Sequence, residues 1–214
     1  MTPPNLADIR LDYGQRGLSP EDCDVDPLLQ LQSWLNEALS AGVPEATAMN
    51  LATVNSDKRP SSRIVLLKGL EDGQLCFFTN YLSRKGQELA QHPYAAVTFF
   101  WPELERQIRV EGRITPLSAQ ASDQYFASRP YASRIGAWVS AQSQPLTATE
   151  SLRARAQALK EQYPIDVPRP PHWGGYGLSP DRAEFWQGRP SRLHDRVLYL
   201  PMPDGQWQRS RLQP

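Results

Sequence analysis

The amino-acid sequence predicts a mainly β fold, a β-barrel with appended α-helices, and three observations carry that prediction. Short runs rich in β-branched and aromatic residues alternate with turn signals from residue 47 to 114. Two or three helical stretches then follow one another, and strand-like runs return after the proline cluster "PIDVPRPPHW". Strands, then helices, then strands describe a barrel with peripheral helices, not an alternating βαβ sheet.

The elements follow in order. Residues 1–25, rich in Pro, Gly and Asp and without sustained periodicity, are expected to form an arm, and 26–214 a single domain. "DPLLQLQSWLNEALSAG" reads as a helix: Asp26 caps it, Pro27 takes the first helical position, and Gly42 stops it. Leu28, Leu31, Trp34, Leu35, Ala38 and Leu39 share one side. "TAMNLATV", the turn "NSDKRP", "SSRIVLLK", the turn "LEDG" and "QLCFFTN" then make an antiparallel meander. Ser83 caps a short helix "RKGQELAQH" that Pro93 ends, and "YAAVTFFW" and "ERQIRVEGRI" add two strands. In the latter, Gln107, Arg109, Glu111 and Arg113 alternate with Ile108, Val110 and Ile114, so one face is polar and the other packs inward. Helices are expected around "SAQASDQYFASR", "SRIGAWVSAQ" and "TATESLRARAQALKEQY", and closing strands near 175–188, 193–200 and 206–212. Trp34, Trp138 and Trp207 are assigned to core or interface packing.

Composition excludes several function classes. Lys plus Arg and Asp plus Glu both number 23, so there is no global field to attract nucleic acid or an anionic membrane, and any anion site must be local. The N-terminus has no apolar signal core and no run approaches a membrane span. Cys23 and Cys76 fit no zinc or redox spacing and read as structural thiols, so a cytoplasmic protein without a disulfide is expected. "GGYG" lacks the dinucleotide fingerprint, no P-loop or GxSxG elbow is present, and His92, His172 and His194 are not spaced as metal ligands.

What remains is a scatter of cations on strands and helix starts: Arg63 and Lys68, Arg84 and Lys85, Arg129, and Arg192, His194 and Arg196. Solvated surface charge is the plain explanation for basic residues. The last three resist it, because a strand through "RLHDR" sets them in a row on one face beside Trp186, with Leu193, Asp195 and Val197 opposite. Arginine forks, a lysine point charge, hydroxyls and helix N-termini together suit phosphate.

These residues resemble a known family. "EFWQGRPSRLHDR" is similar to the C-terminal signature of the pyridoxamine 5′-phosphate oxidases, FMN-dependent enzymes that make pyridoxal 5′-phosphate. The likeness runs in order through "RIVLLK", "FTN", "SRK", "LERQIRVEG", "YFASRP", "IGAWVSAQS", "WGGY" and the final "RL", and covers nearly the whole chain.

The resemblance implies an FMN-binding split β-barrel and a homodimer holding FMN between subunits. It implies that Arg63 and Lys85 hold the FMN phosphate, helped by Arg84, Gln142 and Ser143, with Ile64, Val65, Leu66, Leu67 and Lys68 along the same cofactor-binding run. The flavin would lie near Phe78, Thr79, Gln107, Trp186 and Arg196, the last stabilising negative charge on the ring. Lys68, Tyr125, Arg129 and Ser133 would meet the phosphate of pyridoxamine or pyridoxine 5′-phosphate, leaving Arg192 and His194 as the catalytic pair facing the pyridine ring. Arg10 and Tyr13 of "RLDY" would belong to an arm closing over the substrate, and dioxygen would take the electrons, giving hydrogen peroxide. The chain has Asp12 where the family usually has Glu, and Glu45-Ala46 where it has Asp-Pro. Period-2 geometry sets Arg63 and Lys68 on opposite faces, so one strand serves two phosphates only through a bulge or at different ends. Two other readings stay open: a flavin oxidase of another ring system, such as a phenazine precursor, and a split-barrel protein that binds FMN without turnover.

Overall fold

Asp26 opens the first helix by accepting from the backbone N–H groups of Leu28 and Leu29, as its place before Pro27 requires. In the computed structural model, which describes residues 14, 17–146 and 149–214, that helix, α1, spans Pro27–Ser40. Its inner side is Leu31, Trp34, Leu35 and Ala38, joined by Gln30, which accepts from the Asp24 N–H. Leu39, expected inside, is exposed. Gly42 ends the helix at a φ of 70° that an L side chain rarely adopts.

The strands are β1 (Ala48–Val54), β2 (Pro60–Leu66), β3 (Gly69–Glu71), β4 (Gln74–Asn80), β5 (Tyr94–Trp101), β6 (Arg106–Pro116), β7 (Trp173–Gln187), β8 (Asp195–Pro201) and β9 (Trp207–Arg211). Helices α2 (Arg84–Gln91), α3 (Ala119–Ser128), α4 (Tyr131–Val139) and α5 (Thr149–Gln162) lie where the sequence places them. The expected turn "LEDG" is shorter than read: Gly69–Glu71 pair with β4 and only Asp72 and Gly73 turn, both at positive φ. The architecture is mainly β, an antiparallel curled sheet with five helices.

The chain divides into two compact units, each discontinuous in sequence. One consists of Ala48–Val97 and Glu111–Pro180. Its strands run in the order β2-β1-β5-β6-β7-β4-β3, with β1 and β2 a hairpin that pairs Leu51 with Arg63 and β4 antiparallel to β7. Met49, Leu51, Leu75, Phe77 and Leu178 are fully buried in it, and Phe126, Ile135, Val167 and Trp173 form a further cluster under the helices. In the other unit, Thr98–Val110 and Asp181–Pro214 join the described residues up to Thr47. There Trp34 meets Phe185 edge-on at 5.2 Å and Trp101 donates to the Ala46 carbonyl at 3.1 Å. Cys23 and Cys76 are buried free thiols, one in each unit.

Candidate active site

The unit Ala48–Val97 and Glu111–Pro180 encloses a cavity of about 510 Å³. Strand β2 and the residues after it contribute Arg63, Ile64, Val65, Leu66 and Lys68 to its wall, and β4 contributes Phe78 and Thr79. Lys85 enters from α2, Tyr125 and Arg129 from the end of α3, Ser133 from α4, and Gln142 from the segment that follows. Leu67 is buried and does not line the cavity. The parity puzzle has a simple solution. Strand β2 ends at Leu66, and the Lys68 N–H turns to the Cys76 carbonyl, so Arg63 and Lys68 are not on one regular strand and both reach the cavity without a bulge.

One end of the lining is built for an anion. Ser83 caps α2 and puts Lys85 in its first turn. The Lys85 ammonium is buried and donates to Thr79 Oγ1 at 3.0 Å, Gln142 Oε1 at 3.1 Å and Ser83 Oγ at 3.3 Å, with no carboxylate partner among the described residues. Burial, then the charge of Arg63, pushes its pKa down to about 8. A charged amine packed on neutral oxygens alone is an arrangement that gains from an incoming anion. Beside it Arg63 donates to the Leu51 carbonyl at 3.1 Å, Thr53 Oγ1 at 2.5 Å, Ser61 Oγ at 2.6 Å and Glu88 Oε2 at 3.3 Å. Burial lowers the Arg63 pKa against the opposing charge of Glu88. Arg84 pairs with Glu88 through Nε at 2.9 Å, and its backbone N–H donates to Ser143 Oγ at 3.1 Å. Burial pushes the Glu88 carboxyl up, but hydrogen bonds from Thr53, Ser61 and Arg84 and the Arg84 charge outweigh it and hold the pKa at about 2.

A second anchor lies in the same wall. Arg129 ends α3, and its guanidinium rests 4.6 Å above the Trp173 ring. Its Nη1 is buried with no hydrogen-bond partner, and burial lowers its pKa. A buried donor left unpaired costs about 1–3 kcal/mol. The same wall carries an aromatic slab: Phe78 stacks on Tyr125 at 3.9 Å, and Tyr125 lies within 4° of parallel to Trp173.

The remaining expected residues belong to the other unit, and here one expectation is corrected. Arg192 and His194 do not share a strand with Arg196, because β8 begins only at Asp195. Pro190–Arg192 form a 3₁₀ turn in which Ser191 and Arg192 have φ of 58° and 61°, both left-handed and both non-glycine. The turn is closed by Leu193 N–H on the Pro190 carbonyl and by the Arg189 N–H on His194 Nδ1 at 3.2 Å. The His194 ring lies 4.6 Å from that of Trp186, which is the register partner of Arg196. Arg196 forks onto the buried Glu184, Nε to Oε1 at 2.9 Å and Nη2 to Oε2 at 3.0 Å. This bond raises the Arg196 pKa, and the same carboxylate also accepts from Arg109 Nη1 at 3.4 Å. Gln107, on β6, is half-buried. Arg10 and Tyr13 lie outside the described residues.

Two contributors were not singled out in the sequence. Trp173 is the platform under Arg129, and "WGGY" was its only signal. Glu88 binds both arginines, and its place four residues after Arg84 on a helix was legible as an ion pair. Among the described residues no group of three or more His, Cys, Asp or Glu could hold a metal ion, and no helix is long and apolar enough to cross a membrane.

The family described as pyridoxamine 5′-phosphate oxidase matches residues 35–163, and the C-terminal dimerisation region of pyridoxine 5′-phosphate oxidase matches 173–214. The chain is 63% identical over 210 residues to a pyridoxine/pyridoxamine 5′-phosphate oxidase of Chromobacterium violaceum, covering 98% of this chain and 99% of that one. It is 57% identical to that of Mannheimia succiniciproducens over the same share of each chain. Among solved structures, PhzG from Burkholderia lata, in complex with tetrahydrophenazine-1-carboxylic acid, superposes with a TM-score of 0.87 at 35% identity, covering 92% of this chain and 98% of that one. A pyridoxamine 5′-phosphate oxidase-related, FMN-binding protein from Nostoc punctiforme superposes with a TM-score of 0.70 at 22% identity and the same coverage, a likeness of fold alone. By its sequence along nearly its full length and by its split-barrel fold, the chain belongs to the pyridoxamine 5′-phosphate oxidase family and carries that family's dimerisation region.

Proposed function

We propose that the chain is an FMN-dependent oxidase that converts pyridoxamine 5′-phosphate and pyridoxine 5′-phosphate to pyridoxal 5′-phosphate. It would pass the electrons to dioxygen, release hydrogen peroxide, and act as a cytoplasmic homodimer with FMN between the subunits. One observation carries the reading: a single cavity is lined by two cations that meet no carboxylate among the described residues, the buried Lys85 and the half-buried Arg129, with an aromatic slab in the same wall. Two phosphorylated aromatic molecules fit that donor set, one at each anchor.

FMN, when bound, supplies the acceptor for a hydride from the substrate CH2–NH2 or CH2–OH carbon and hands the pair to dioxygen. Lys85 and Arg63, with Arg84, Gln142 and Ser143, hold the cofactor phosphate. Arg129, Lys68, Tyr125 and Ser133 hold the substrate phosphate, a remote handle whose charge-assisted bonds fix the ring relative to the reacting carbon. Phe78 and Thr79 would flank the cofactor ring, a role the family resemblance gives also to Gln107 and Trp186. Arg192 covers the pyridine, and His194, whose Nδ1 accepts from the Arg189 N–H, orients the substrate heteroatom. Arg196, oriented by a Glu184 that Arg109 also meets, would stabilise negative charge on the reduced ring. The buried free thiols Cys23 and Cys76 support a reducing compartment.

The similarity to PhzG supports a second reading, oxidation of a phenazine-type ring acid. Such an acid offers Arg129 a carboxylate, whereas a phosphate monoester offers a dianion matched to all four of Lys68, Tyr125, Arg129 and Ser133. Anaerobic addition of pyridoxamine 5′-phosphate to the FMN-loaded protein decides between them. Bleaching of the flavin absorbance supports the proposal. A protein that stays yellow with the phosphorylated amine and bleaches with tetrahydrophenazine-1-carboxylic acid supports the alternative, and one that bleaches with neither is a binder without turnover.

A further inference from the structure

Behind the wall of the proposed cofactor pocket, against Arg63, lies an anion. Glu88 sits on the second turn of α2 with its side chain 4% exposed. Its Oε2 accepts from Thr53 Oγ1 at 2.5 Å, Ser61 Oγ at 2.7 Å and Arg63 Nη2 at 3.3 Å, and its Oε1 from Arg84 Nε at 2.9 Å. Arg63 is equally committed. Its two terminal nitrogens carry four hydrogens, and the Leu51 carbonyl, Thr53, Ser61 and Glu88 take all four. Arg63 is therefore held in place before any ligand arrives, and it can face a phosphate only through Nε–H or by giving up a protein partner.

Charge counting points the same way. Arg63, Arg84 and protonated Lys85 bring three positive charges to this corner and Glu88 removes one. The remainder, two, balances a phosphate monoester dianion. Without the carboxylate, the neighbouring cations repel one another, and Thr53 and Ser61 lose their common acceptor.

We propose that Glu88 is a positioning residue for the cofactor phosphate: it fixes Arg63 and Arg84 and trims the pocket's charge to that of a phosphate dianion. This rests on the reading that FMN binds with its phosphate at Lys85. Glu88→Gln keeps the shape but removes the charge and turns an amide donor toward the hydroxyls and guanidinium groups.

Titration of the flavin-free protein with FMN and with riboflavin, which lacks the phosphate, tests the proposal. The wild type must first prefer FMN strongly; equal affinity for the two would sink the functional reading itself, whatever Glu88 does. Given that preference, E88Q should weaken FMN at least about tenfold and riboflavin less than about threefold, because only the phosphate is read through Glu88. A preference for FMN that is unchanged in E88Q, whether both affinities fall together or neither moves, overturns the proposal. Should E88Q fail to fold, Glu88→Asp, which keeps the charge but shortens its reach, is read against the same outcomes.

Discussion

At the scale of single residues, the site is defined by cations placed where water does not neutralise them. Lys85 gives this a measurable form. Its pKa in the ligand-free protein is about 8, against 10.5 for an ordinary lysine, because burial and then Arg63 disfavour the charged form. Between those two values the unfolded chain binds more protons than the folded one, so this group's contribution to stability rises with pH across that window and is a cost below it. Phosphate binding works in the opposite sense, since a dianion requires the ammonium. FMN affinity should hold steady below about pH 8 and then fall by up to about tenfold per pH unit as Lys85 loses its proton. Titrations from about pH 7 to about 9.5 read this directly, with a Lys85→Met variant as the flat reference, and a wild-type profile as flat as the variant's would remove Lys85 from the phosphate site.

Elements carry these residues into register, and here a glycine decides. A Cβ on Gly86 would stand 2.1 Å from the Tyr81 carbonyl oxygen and 2.8 Å from its Cα, both backbone atoms that cannot step aside. Helix α2 can approach the end of β4 this closely only because position 86 has no side chain, and the approach sets Lys85 against Thr79. Gly86→Ala should therefore cost about 1–3 kcal/mol of stability and loosen FMN as well, since α2 must move away with Lys85 and Glu88 on it. Thermal unfolding and flavin titration of the same preparation check both effects; a variant with wild-type melting and affinity would contradict the packing described. Much at this scale was legible. Asp26, Pro27 and Gly42 marked α1, Ser83 marked α2, and the alternation in β6 separated its faces. What alternation cannot reveal is where a strand stops. It ran Arg192, His194 and Arg196 together as one row, although "GRPS" contains a proline without an N–H, and the chain coils through a 3₁₀ turn before β8 begins. It also joined Lys68 to β2, where the backbone has already left the strand. Trp173 and Glu88 escaped notice for another reason: their roles are toward Arg129 and Arg63, and contacts across distant parts of a chain have no local period.

For the whole molecule, the two units carry different groups of the candidate residues. Ala48–Val97 with Glu111–Pro180 contains the paired anion anchors and the aromatic slab, while the unit ending at Pro214 contains the Trp186, His194 and Arg196 cluster within the family's dimerisation region. The latter is tied together through one carboxylate. Asp195 is buried between His194 and Arg196, accepts from the Leu18 N–H at 3.1 Å, and pairs with Arg189 at 3.4 Å and with Arg211. Family membership was readable from "EFWQGRPSRLHDR" because the motif is long; the pairing of Arg196 with Glu184 was not, since a sequence does not say which of several acids meets an arginine.

The left-handed pair at Ser191 and Arg192 has an energetic meaning beyond the shape it gives the turn. A non-glycine residue there holds on the order of 1–3 kcal/mol of conformational energy that the rest of the fold must supply. Evolution's cheaper option, glycine, is absent at a spot where it would relax the loop. Arg192→Gly should accordingly melt a few degrees higher than the wild type while oxidising substrate far more slowly, a gain in durability bought with lost turnover. Calorimetry beside a steady-state assay would reveal that trade, and a variant that melts lower would mean the tension is not there.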